Sequence, residues 1–218
     1  MAEMRTEEEQ VEALKGWWTE NGKSLLFMVA IALSAVFAWK TWQQKQLTEA
    51  ENASITYQNL LDAVSGAASG DEGQVATSYH LAQQLKGDYE KTEYARFAAL
   101  LVAKVAVDQK DYTKAMGELD WVLVHEPSSE MRNITLLRKA RVYQAMGEFN
   151  KGLDTIKGLS AKEFSGSVYE LKGDLLLASG KSSSARDAYQ QALKASENAG
   201  SNPLLNMKLD DLAVSKEG

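Results

Sequence analysis

The chain has 218 residues, with 24 Lys and Arg against 30 Asp and Glu, a formal net charge of −6, and no cysteine. That balance argues against a nucleic-acid binder, which needs a basic patch to neutralise phosphates, and against a domain lying flat on anionic lipid. The missing thiols remove cysteine catalysis and thiolate metal sites, and 2 prolines in a chain rich in Ala, Leu, Gln, Glu and Lys predict an all-α fold.

At the N-terminus, Thr6 precedes Glu9 at capping-box spacing. Val11, Leu14, Trp17 and Trp18 then recur at three- and four-residue steps. A short amphipathic helix over Thr6–Asn21 is expected, ending at Asn21-Gly22 where left-handed backbone is tolerated. Its acidic side suits solvent or a protein partner better than anionic lipid.

An uncharged apolar run, Ser24–Trp39, follows between Lys23 and Lys40. At about 1.5 Å per residue it falls slightly short of a ~30 Å hydrocarbon core. Trp17 and Trp18 before it, and Trp39 and Trp42 after it, match the aromatic belts of two membrane interfaces. Lys23 and Lys40 can snorkel to the headgroups. A buried core helix does not explain four of the chain's 5 Trp bracketing one run. A cleavable signal peptide is the sharper rival, with Val36 and Ala38 before a possible cut. It would need a short basic leader, however, and the preceding segment is long and glutamate-rich. The reading is an uncleaved signal anchor, with residues 1–23 cytoplasmic, 24–42 spanning the membrane and 43–218 translocated. Lys and Arg differ by only one residue across the span, so charge decides little about orientation.

Gln43–Ser65 reads as a further helix that can continue the span into a stalk. Ser65–Gly73 reads as a small-residue loop, and Gln74–Leu85 as the next helix. A weak internal repeat follows. Ala115, Gly152 and Ala185 occupy equivalent positions on three second helices, separated by 37 and 33 residues. The tetratricopeptide (TPR) period is about 34. Ala103, Ala140 and Gly173 supply small side chains on the first helices, where paired helices must approach closely. The expected repeats are 94–127, 133–164 and 167–197, with a capping helix over 203–214. Gly152, Lys139 and Lys172 depart from the usual pattern, and a plain antiparallel helical bundle is the alternative.

No catalytic constellation is present. His80 and His125 are solitary, and the glycine-containing loop lacks phosphate-cradle spacing. Neither a metal, a cofactor nor a small-molecule substrate is expected. A binding groove is. In a TPR-type stack the first helices line the concave face, which places Phe97, Leu100, Lys104, Val107 and Asp108 there from the first repeat. Ile134, Leu137, Arg141 and Gln144 come from the second, and Glu170, Asp174 and Leu177 from the third. Some of these positions could equally be core.

The segments EQVEALKGWWTENGK (Glu9–Lys23), WKTW (Trp39–Trp42), ASITYQN (Ala53–Asn59), LDTIKG (Leu153–Gly158) and ELKGDLLLASG (Glu170–Gly180) occur in an order that resembles the YfgM family. These are the ancillary SecYEG translocon subunits of Gram-negative bacteria. The resemblance covers essentially the whole chain. It implies a single-pass inner-membrane protein with its N-terminus in the cytoplasm and a periplasmic TPR-like domain. It also implies association with SecYEG and the chaperone PpiD, and transfer of translocated chains to periplasmic chaperones. It carries no catalytic motif. A membrane-anchored scaffold for envelope assembly, unrelated to Sec, is the alternative from another class.

Overall fold

The computed structural model describes residues 7–159, 165–195 and 202–214, and these form nine helices. The longest, α1 (Glu7–Ala68), runs 62 residues without a break. Residues up to Asn52 and residues from Ala53 onward are separate compact units.

In the first unit the apolar side chains of α1 are exposed, among them Leu26, Phe27, Ile31, Leu33 and Phe37. Among the described residues, α1 is the one helix long and apolar enough to cross a membrane. The break expected at Asn21-Gly22 does not occur. Thr19 Oγ1 donates to the Gly16 carbonyl at 2.8 Å, and Asn21 Nδ2 donates to the Trp17 carbonyl at 3.2 Å. The polar side chains bond back onto the helix instead of ending it. A Cβ on Gly22 would lie 3.1 Å from the Trp18 ring, so the indole lies along the helix at that point. Thr6, the expected cap, lies outside the described residues.

The helix also extends beyond Ser65. The expected loop shrinks to residues 69–71, and α2 (Glu72–Asp88) starts on the Asp71 carboxylate, which accepts from the Gly73 and Gln74 amides. Five helices follow: α3 (Glu93–Asp108), α4 (Tyr112–Val124), α5 (Ser129–Ala145), α6 (Phe149–Ile156) and α7 (Ser165–Ala178). After them come α8 (Ser182–Ala195) and α9 (Pro203–Val214).

The three turns α3–α4, α5–α6 and α7–α8 share one geometry. Each has a left-handed residue, Lys110 (φ 59°), Gly147 (φ 76°) and Gly180 (φ 78°). In each the amide of the next residue reaches back to close the preceding helix: Asp111 to Ala106, Glu148 to Tyr143, Lys181 to Leu176. This is a Schellman-type cap, for which glycine carries no Cβ penalty. Gly70 (φ 92°) repeats it between α1 and α2, with Asp71 N–H donating to the Gly66 carbonyl. The end of α1 and α2 are therefore a further helical pair in the same register, which the sequence reading missed. Ala63 stands where Ala103, Ala140 and Gly173 stand, and all four are buried.

The core follows this register. Ala115, Gly152 and Ala185 are buried, as are Leu119, Ile156 and Tyr189 one turn later. Ala53 and Leu60 of α1 pack with Ala82, Leu85, Ala98 and Val102. Gly152 has its physical reason here, since a Cβ would lie 2.8 Å from Leu175 Cδ2 and 3.3 Å from the Ala140 carbonyl oxygen. Lys139, in place of an apolar residue, pairs with Asp120. A buried ion pair, Lys86 to Glu118 at 2.6 Å, ties α2 to α4. At the far end Leu205 and Leu212 of α9 bury against Ala188, Tyr189 and Ala192 of α8.

Candidate functional site

The expected interface residues Trp17, Trp18, Lys23, Trp39, Lys40 and Trp42 are all exposed along α1. Because the helix is continuous, Trp18 and Trp39 are separated by about 31 Å along its axis, close to the ~30 Å hydrocarbon core. The Trp39 and Trp42 rings lie 5.2 Å apart in a tilted pair.

The expected groove residues separate into three groups. On α3, the positions 97, 100, 104 and 107 share one face. Phe97 is exposed beside Tyr57 of α1, with ring centroids 6.3 Å apart, and Leu100 is buried in the core. Leu137 is likewise core, packed with Ala140, Ile156 and Val168. Ile134 and Gln144 are half-buried, and Leu177 is exposed.

Lys104, Val107 and Arg141 come together. They border a cavity of about 290 Å³ between α3, α4 and α5, with Ala103, Leu119 and Val142 as its apolar floor and Arg138 at its rim. Lys104 pairs with Asp108 at 2.9 Å, an exposed i,i+4 contact of small energetic worth. Arg138 donates to the Leu100 carbonyl at 3.1 Å, which holds the guanidinium against α3. Burial, then the neighbouring Arg141 charge, lower the Arg138 pKa from its ordinary value. Among the described residues neither Arg138 nor Arg141 has a carboxylate in ion-pair reach. The sequence reading missed Arg138. Its signal was available, because residues three apart on a helix are neighbours and place two guanidinium groups on one edge.

Glu170 and Asp174 belong to a different arrangement. Lys208 of α9 reaches both, at 2.9 Å and 2.7 Å, and the Tyr189 hydroxyl donates to Asp174 at 2.8 Å. Burial works against the Lys208 charge, but the two carboxylates outweigh it and raise its pKa. The Tyr189 pKa is also raised, first by burial and then by its bond to Asp174. These carboxylates are satisfied by the chain's own lysine.

The two histidines lie apart, on α2 and at the end of α4, and His125 has local partners. His80 is exposed on α2. His125 ends α4: its ring stacks on Trp121 at 3.8 Å, Nδ1 lies 2.6 Å from the Trp121 carbonyl, and Nε2 lies 3.0 Å from Glu90. Arg96 Nε donates to the His125 carbonyl, so the group closes the α4 end against α3. Among the described residues no group of three or more His, Cys, Asp or Glu could hold a metal ion.

The family model of the tetratricopeptide repeat-like domain matches residues 15–214. A protein from Aggregatibacter actinomycetemcomitans named ancillary SecYEG translocon subunit is 31% identical over 97% of this chain and 100% of its own length. Proteins of the same name from Haemophilus influenzae and Escherichia coli are 27% and 28% identical, covering 97% and 95% of this chain and 100% and 97% of their own. Among solved structures, MamA from residue 41 to its end, from Desulfovibrio magneticus RS-1, superposes with a TM-score of 0.55 at 13% identity, covering 74% of this chain and 86% of that one. At that identity the likeness is one of fold alone.

Proposed function

This chain belongs to the tetratricopeptide repeat-like family of ancillary SecYEG translocon subunits, and from that premise we propose that it is a non-enzymatic, membrane-anchored adaptor of the Sec machinery. Residues 24–42 of α1 span the inner membrane, with the N-terminal segment in the cytoplasm and residues 43–218 in the periplasm. The repeat domain captures protein partners: PpiD and periplasmic chaperones that receive newly translocated chains.

The observation that carries this reading is the contrast within α1. Nearly all its large apolar residues before Asn52 are exposed, whereas Ala53, Leu60, Ala63 and Ala67 are buried in the repeat domain. One helix thus supplies both a lipid-facing segment and part of a partner-binding module. Tethering turns capture from a bulk encounter into an effectively intramolecular one, at local concentrations on the order of millimolar, so weak contacts suffice. The groove is formed by the first-helix face at Phe97, Lys104 and Arg141, with Ile134 and Gln144 beside it.

Copurification of the full chain from membranes in mild detergent tests the reading. SecYEG subunits together with a periplasmic chaperone are the expected partners. Recovery of envelope-assembly components without SecYEG would overturn it.

A further inference from the structure

We propose that the cavity between α3, α4 and α5 is a docking site for an acidic segment of a partner protein, in which an apolar side chain is flanked by carboxylates. The inference rests on the domain being a partner-capturing module, and it names the chemistry of the segment captured. Residues of two successive repeats build the site: Lys104 and Val107 from α3, Arg138 and Arg141 from α5.

Charge is the first argument. The chain as a whole carries −6, yet this cavity is lined by three cations and no carboxylate; of the three, Lys104 pairs with Asp108 beside it. Three lysines elsewhere in the domain meet carboxylates across helices: Lys86 with Glu118, Lys139 with Asp120, Lys208 with Glu170 and Asp174. Arg138 and Arg141 are one turn apart, without a carboxylate partner among the described residues, and the Arg141 charge disfavours that of Arg138. An incoming carboxylate relieves that repulsion. Arginine also presents a planar fork that matches a carboxylate with two parallel bonds.

Shape is the second. The floor of Ala103, Leu119 and Val142 is apolar, and a volume of about 290 Å³ is at the small end of ligand pockets. It accommodates one apolar side chain with the flanking backbone passing over the rim. Arg138 is already held in place by the Leu100 carbonyl at 3.1 Å, so less freedom is lost on binding.

The test uses the full-length protein in zwitterionic detergent and fluorescence anisotropy. The probe is a short labelled peptide in which leucines are flanked by glutamates. Controls carry glutamine in place of glutamate, or serine in place of leucine. The glutamate–leucine peptide is expected to bind about tenfold more tightly than either control, and Arg141→Glu to lose about tenfold in affinity. Arg141→Glu keeps an exposed position, and an unchanged melting curve confirms that it folds. Lys104→Gln provides a second variant at the opposite edge, with a loss in the same direction. A lysine–leucine peptide that binds Arg141→Glu better than it binds the wild type would support the site by charge exchange. Equal binding of the glutamate and glutamine peptides, or unchanged affinity in both variants, would overturn it. So would vesicles of phosphatidylglycerol that bind through Arg141 while the peptide does not bind. Copurification with SecYEG is read separately: its loss counts against the adaptor role, whereas indifference of the peptide to charge counts only against this site.

Discussion

Two places on the first-helix face of the repeat domain occupy similar register and have opposite fates. Between α3 and α5, Arg138 and Arg141 edge an apolar cavity with no carboxylate among the described residues to meet them. On α7, Glu170 and Asp174 are met by Lys208 and Tyr189 from the helices that follow. The repeat period places both sets on one face, but only tertiary contact distinguishes an open position from a closed one. A solenoid uses its terminal helix to finish its last repeat, and here that finish neutralises the acidic end while the basic pocket stays available.

The comparison breaks most sharply where an ion pair is largely enclosed. Lys86→Met leaves Glu118 buried without its partner, and a loss of about 3 kcal/mol in unfolding free energy is expected by chemical denaturation. Next is Gly173→Ala at the closed end. The new Cβ would overlap the Tyr189 ring, whose hydroxyl holds Asp174, so a loss of about 1–3 kcal/mol is expected. An unchanged midpoint would mean that the α7–α8 packing is loose.

Lys208→Met removes the cation from the closed end at a smaller cost, about 1 kcal/mol, because the group is partly solvated. Its pH dependence has a definite sign. The Lys208 pKa is raised above its ordinary 10.5, so its contribution is full below that value and is lost as pH climbs through the folded value. Tyr189, raised above 10.0, acts in the same direction by favouring the neutral hydroxyl. Denaturation midpoints should therefore fall from about pH 10 upward, less steeply in the Lys208→Met chain. Acid-side loss alone would contradict this. The smallest stability effect belongs to the open pocket: Arg141→Glu should change stability by less than about 0.5 kcal/mol, since no ion pair is broken.

Much of this architecture is legible in sequence. The uncharged run between tryptophan pairs marks the exposed apolar part of α1, and small residues at 103, 140 and 173 mark the first helices. Asn21-Gly22 misleads because Asn21 bonds back to the Trp17 carbonyl within the helix rather than adopting a left-handed terminal conformation, and α1 runs on. The pair formed by the end of α1 and α2 escapes because its first helix has no start of its own; Gly70 was its one local marker. Leu100 and Leu137 look like groove and are core, because the face that lines a groove also packs on the neighbouring repeat. Lys208 reaches Glu170 from 38 positions away, a distance over which no periodicity carries information.

The claim that one helix anchors while a separate site captures is tested most directly by site-specific photo-crosslinking in intact membranes. Probes at Phe37 and Arg141 report on the two regions within the same full-length protein. The expected result is a translocon product from Phe37 and a product with PpiD or another periplasmic chaperone, or with a translocating chain, from Arg141. Lys104→Gln should reduce only the second. No translocon product at Phe37, or a product at Arg141 that is indifferent to Lys104→Gln, would contradict that division of labour.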